Sequence, residues 1–183
     1  MTPIPRPALG TDETVLWQGK PKKSAFIATK SLSLLPIAAL WLVFDLTFIA
    51  SSFSDESAPL FLLVPFFALH LLPVWLWLGS LLTAKRRYKN TFYYLTNRRV
   101  IIREGVFSPR EVSLYYKDLR ITTARVGILD RPFHVGDIVF HTGTYTHGRY
   151  GRRETLYSFE ELEDHEAVYE RLQRILSDAQ SDA

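Results

Sequence analysis

The chain has 183 residues, 47% of them hydrophobic and 14% aromatic, and a formal charge of +3. It holds no cysteine, which excludes disulfides, thiolate nucleophiles and cysteine-based zinc sites. The small net charge hides a division. Lys85 to Arg153 carries 15 Lys/Arg against 5 Asp/Glu, and Glu154 to Ala183 carries 2 against 9, so a basic body precedes an acidic tail that weakens its exposed field.

Met1–Gly10 holds three prolines and reads as a segment without fixed structure. Asp12–Ser24 has one apolar cluster, Val15-Leu16-Trp17, before Gly19 and Pro21 stop regular structure; it is expected to pack on a folded domain or at an interface.

Two long apolar runs follow. Ser31–Phe53 carries one charge, Asp45, and Pro59–Leu82 carries none. At 1.5 Å per residue each reaches about 35 Å, against a hydrocarbon core of about 30 Å. Pro36, Pro65 and Pro73 suit membrane helices better than soluble ones. The runs predict transmembrane helices over 31–53 and 59–83, joined by a short external loop, 54–58. Residues 1–30 form a cytoplasmic N-terminal segment, and 84–183 a cytoplasmic domain. Lys20, Lys22, Lys23 and Lys30 precede the first run, and the juxtamembrane cations Lys85, Arg86, Arg87 and Lys89 follow the second. The joining segment has Asp55 and Glu56 but no Lys or Arg. By the positive-inside rule the protein is expected to be multi-pass in the inner cell membrane, with both termini cytoplasmic. Ala50-Ser51-Ser52 resembles a cleavage site, but the apolar run is too long for a signal peptide.

Asp45 lies eight residues and His70 eleven from the outer ends of their runs. Their depths differ by roughly 4–5 Å, so an antiparallel hairpin can bring them together. A charged Asp at a span's centre costs about 2.5–3.5 kcal/mol, which a partner lowers. The pair reads as polar glue between helices or neighbouring subunits; the alternative is a proton or ion relay in a transporter or channel component.

Past Arg87 the pattern changes. Phe92-Tyr93-Tyr94-Leu95, a Thr96-Asn97 turn and Val100-Ile101-Ile102 up to Gly105 predict a β-hairpin. Val112/Leu114/Tyr116, Leu119/Ile121/Thr123 and Val135/Ile138/Phe140 give further strands. Gly143 to Arg153 reads as a polar, basic loop, and Thr155–Phe159 as a last strand with Leu156 facing in. A C-terminal helix is expected at about 160–179, its stripe formed by Leu162, Val168, Tyr169, Leu172, Ile175 and Leu176.

Tyr93–Arg99, YYLTNRR, continuing through VIIREG to Gly105, resembles the membrane-anchored bacterial pleckstrin-homology-like (PH-like) domain family, with its Tyr-x-Leu-Thr-x-x-Arg hairpin followed by glycine. Phe133–Ile138, FHVGDI, and Glu13–Pro21, ETVLWQGKP, are similar to two further segments of that family. The resemblance implies a mainly-β, PH-like, partly open barrel of two antiparallel sheets, capped by a C-terminal α-helix and following an α-helical membrane hairpin. It also implies an interaction domain and not an enzyme. The stretch 142–153 has no counterpart in the pattern.

No phosphate-binding glycine loop, nucleophile elbow or His-Glu-x-x-His is present. No cofactor, metal site or nucleic-acid partner is expected; the histidines His134, His141, His147 and His165 read as surface residues. Arg98 and Arg99, placed at the first hairpin turn, are candidate contacts for an anionic lipid head group or a partner. Arg149, Arg152 and Arg153, with Tyr145, Tyr150 and His147, form a second basic-aromatic candidate. The expected function is a non-catalytic, membrane-anchored scaffold binding a protein partner, a copy of itself as a homo-oligomer, or anionic lipid.

Overall fold

The structure, a computed structural model, describes residues 5–52, 60–148 and 151–181. The strands are β1 Val15–Gly19, β2 Phe92–Thr96, β3 Arg99–Glu104, β4 Arg110–Tyr115, β5 Ile121–Arg125, β6 Gly136–Gly148 and β7 Gly151–Leu162. The helices are α1 Lys23–Leu32, α2 Leu35–Ser52, α3 Leu60–His70, α4 Leu72–Asn90 and α5 His165–Ser181. They divide into two compact units: Met1–Phe26 with Arg86–Ala183, and Ile27–Lys85. The β unit therefore recruits residues ahead of the helices, where a domain confined to 84–183 was expected.

In the β unit, one sheet runs β1-β2-β3-β4 and the other β5-β6-β7, and every neighbouring pair is antiparallel. Their inner faces share a core. Tyr93, Leu95, Val100, Ile102 and Leu114 come from the first sheet, Ile138, Phe140, Phe159 and Leu162 from the second, and Val168 and Leu172 from α5. The outer face of β2 and β3 is covered too: Phe92, Tyr94 and Ile101 pack with Val15, and Tyr94 Oη donates to the Pro5 carbonyl at 2.5 Å. All five residues of β2 are buried, so it reads as a continuous apolar run, without alternation.

The Gly136-Asp137 step has a local cause. Between Gly136 and Ile138 the β6–β7 register shifts, and Glu161 takes φ 57° to absorb the extra residue. Asp137 Oδ1 accepts the Glu161 amide at 3.0 Å, fixing the bulge. Burial lifts the Asp137 carboxyl above its ordinary value, while the Glu161 amide and Arg125 oppose the shift. A Cβ on Gly136 would stand 2.6 Å from the His165 ring, so any side chain there must move that ring.

Three expectations need correction. The stretch 142–153 is not a loop: β6 and β7 continue as a paired hairpin arm to Gly148 and Gly151. Leu156 faces outward and is 50% exposed, because Phe140↔Tyr157 and Ile138↔Phe159 hold the inward positions and alternation turns Leu156 away. The C-terminal helix starts at His165 and not near 160, because Glu160–Leu162 complete β7.

Along the two apolar runs, α1 and α2 meet at a 60° bend, and the Val64–His70 part of α3 meets α4 at 55°. Among the described residues no single helix is long and apolar enough to cross a membrane; two bent pairs, α1 with α2 and Val64–His70 with α4, pass that test together by length and composition only. The unbroken spans expected over 31–53 and 59–83 are corrected accordingly. Proline is the physical reason. Pro36 lacks an amide hydrogen and its ring crowds the carbonyl of Leu32, where α1 ends; Pro73 does the same at Leu69, one residue before α3 ends. Pro65 stays inside α3. The expected loop 54–58 lies outside the described residues.

Candidate functional site

The Tyr-x-Leu-Thr-x-x-Arg segment builds a lock around the β2–β3 turn. Thr96 Oγ1 accepts the amides of Arg98 and Arg99 at 3.1 and 2.9 Å and donates to Glu13 Oε1 at 2.8 Å. Arg99 meets both Glu13 oxygens, Nε to Oε1 at 2.8 Å and Nη2 to Oε2 at 2.9 Å. It also donates to Ser113 Oγ at 2.8 Å and to the Ala8 carbonyl at 2.7 Å. The Arg99 hydrogen bonds hold the buried Glu13 carboxyl down to about 2, against a desolvation that raises it. Arg99 is therefore spent internally and is no free contact for a phosphate. This turn closes the first hairpin of the chain, β2–β3, and β1 pairs along the other edge of β2. Trp17 completes the N-terminal motif. Its ring stacks 5.8 Å from Phe159 and lies over Gly19, where a Cβ would come 2.4 Å from it.

Arg98 is exposed; its backbone amide donates to Thr96 Oγ1 and its carbonyl accepts the Tyr116 amide at 3.4 Å. It borders a groove of about 890 Å³ at this end of the sheets. The β4–β5 connection supplies Lys117 and Arg120, and α5 supplies Tyr169 and Leu176. Tyr169 Oη donates to the Thr122 carbonyl at 2.9 Å and Gln173 Nε2 to Thr122 Oγ1 at 2.8 Å, holding α5 against β5. The described lining has three cations, an apolar and aromatic floor, and no carboxylate. Lys117 and Arg120 escaped the sequence reading because nothing local puts the segment between two strands beside a helix 50 residues later.

The structure separates the second basic candidate. His147 pairs with Arg152 and Thr146 with Arg153, so the two arginines face opposite sides of the hairpin arm. Arg152 stacks 3.9 Å from the Tyr145 ring. Arg149 and Tyr150 lie outside the described residues. At the root of the arm, His141 Nδ1 and Glu154 Oε2 are 3.2 Å apart.

The four cations that follow the second apolar run also divide. Arg87 Nη2 reaches Glu104 Oε2 at 2.6 Å, and Arg110 takes Oε1 of the same carboxylate at 2.9 Å. Arg86 lies 5.5 Å from the Phe107 ring. Lys85 and Lys89 are exposed.

Within the helical unit, Asp45 Oδ1 and His70 Nδ1 meet at 2.7 Å. Asp45 is 1% exposed, and its Oδ2 has no hydrogen-bond partner among the described residues. Phe66 stacks on the His70 ring at 5.1 Å, and Trp41 and Phe44 flank it.

No curated protein and no solved structure matches the chain. A family profile described as "Bacterial PH domain" matches residues 34–176, a range that begins at the turn just before α2 and ends in α5. That match spans most of the chain, and it agrees with two antiparallel sheets closed by a C-terminal helix. The chain belongs to the bacterial PH domain family.

Proposed function

We propose that this protein is a non-catalytic interaction module, held on the inner face of the membrane by its helical insertion, whose groove takes an acidic, extended segment of a protein partner. The groove carries the reading: Arg98, Lys117 and Arg120 line it together with apolar and aromatic side chains, and no carboxylate is among its described lining residues. Confinement at a membrane raises the groove's local concentration towards membrane-bound partners.

The test uses the full chain in intact cells, with a photoreactive residue at Lys117. The expected result is an adduct to a protein that resists alkaline extraction from membranes with this chain and falls about tenfold in Arg98→Glu/Arg120→Glu. Both arginines are exposed, so the variant keeps its fold. Adducts to lipid alone would move the reading to anionic head groups, and adducts between copies to a homo-oligomer. A chain that washes off membranes at alkaline pH would overturn the anchoring.

One observation favours a second reading, a component of a transporter or channel: the buried Asp45–His70 pair with its unpartnered oxygen. Asp45→Leu/His70→Leu separates the two. Under the first reading the Lys117 adduct survives and reconstituted vesicles show no change in proton or ion flux. A flux present in the parent and abolished in the variant would support the second.

A further inference from the structure

Two loops of the β unit expose large apolar side chains. The first joins β3 to β4 and carries Phe107, 81% exposed. The second follows β5 and carries Ile128, 83% exposed, with Val126 and Leu129 beside it. Neither loop is slack. Asn90 Nδ2 donates to the Gly105 carbonyl at 3.0 Å, and Gly105 takes φ 152°, a conformation that L side chains rarely adopt. In the second loop the buried Asp130 carboxylate accepts the Gly127 amide at 2.6 Å, and the Asp130 amide returns a bond to the Gly127 carbonyl at 3.2 Å. Each turn is built to hold its apolar residues outward.

Both loops sit beside the points where the chain leaves and re-enters the unit. Asn90, which anchors the first, ends α4. Lys22, just ahead of α1, donates from Nζ to the Phe133 carbonyl at 3.0 Å, at the foot of the second. The rings of Phe26 and Tyr88 are 6.3 Å apart, so exit and return are neighbours. Arg86, Lys89 and Arg131 are exposed at this end. Of the carboxylates there, Glu104 is paired with Arg87 and Arg110, and Glu163 with Lys22. Asp164 and Glu166 line a cleft with Arg131 and Val126 at the base of the second loop.

We infer that Phe107 and Ile128 form a two-pronged contact that dips into the head-group region of an anionic phospholipid bilayer, while the neighbouring cations meet its phosphates. The inference rests on the anchoring reading and deepens it: the helices bring the domain to the membrane, and the prongs fix which end it presents. Apolar tips ringed by cations suit the boundary between acyl chains and head groups, and anionic lipid strengthens such contacts.

The absence of cysteine makes the test direct. Phe107→Cys, Ile128→Cys and, at the far turn, Asn97→Cys are each spin-labelled in the full chain and reconstituted in vesicles of phosphatidylethanolamine and phosphatidylglycerol. All three positions are exposed; Asn97 also bonds the Thr14 amide and the Asp12 carbonyl, so near-ultraviolet circular dichroism checks that Asn97→Cys keeps its fold. The labels at 107 and 128 should collide with a water-soluble nickel chelate at least threefold less than the label at 97, and more with oxygen. Replacing phosphatidylglycerol with phosphatidylcholine should reduce that protection. Equal nickel access at all three positions, or protection at one prong alone, overturns the inference. Flotation of the same samples after an alkaline wash separates the two readings. A chain that floats with wet labels defeats this inference only, and one that does not float defeats the anchoring with it.

Discussion

Arg99→Ala should cost the β unit about 3–5 kcal/mol, the range for breaking a buried pair by removing one partner. The substitution leaves Glu13, 8% exposed, without its bidentate partner and frees the carbonyl of Ala8 and the hydroxyl of Ser113. Against a typical total of about 5–15 kcal/mol, that loss is large. Thermal unfolding in mild detergent, followed by near-ultraviolet circular dichroism, measures it. Arg99→Lys should recover only part, since a lysine cannot span both carboxylate oxygens. The same pair sets a pH dependence. Glu13 titrates near 2 in the folded chain, below its ordinary 4.5. Its contribution is complete above pH 4.5 and is lost as pH falls from there towards 2. Glu13→Gln should flatten that part of the stability profile. An unfolding temperature within a degree of the parent for Arg99→Ala would show that the lock carries no weight.

Phe159→Ala is the second large effect, about 3–5 kcal/mol. Phe159 is fully buried where four elements converge. Tyr93 stacks on it at 4.6 Å, Phe140 meets it edge-on at 5.0 Å, and Trp17 covers it at 5.8 Å. Its removal opens a cavity between β2, β6, β7 and the N-terminal strand that rigid rings cannot collapse to fill. Phe159→Leu keeps most of the volume and should cost less than about 2 kcal/mol. Chemical unfolding of the full chain in detergent compares the two; equal losses would mean that volume is not what this position supplies.

How far the amino-acid order disclosed these features depended on the range of the interactions. The Phe92–Glu104 hairpin was legible because both faces of β2 are buried and its residues are all strand formers. β1 was seen only as an apolar cluster, since what makes it a strand is a partner that arrives at Phe92. The hairpin arm past His141 was read as a loop for a related reason: with both faces in solvent, Thr144–His147 and Arg152–Thr155 show no apolar alternation. Acidic Glu160–Glu163 looked like a helix start, yet a bulge at Glu161 keeps Leu162 in the sheet. Of the two turn arginines, Arg98 is exposed beside the groove and Arg99 is bonded to Glu13. The signal for that pair was in plain view, as each of two motifs contributes one charge of opposite sign, Glu13 and Arg99, 86 residues apart. The groove's Lys117 and Arg120 carry no motif, and only the folded β4–β5 connection brings them to Arg98.

Placing the helices between β1 and β2 orders events during translation. The first strand leaves the ribosome early, but its hydrogen-bonding partner follows only after residues 20–91 have been made, roughly 4–14 s later at bacterial elongation rates. Both helical pairs are thus synthesised before the sheet can close, so the greasy portion commits to its environment ahead of the domain that depends on it. The same arrangement penalises truncation. A fragment beginning at Thr91 loses the terminal strand together with Glu13, leaves a bare β2 border open to other molecules, and is a poor stand-in for the intact protein in solution work.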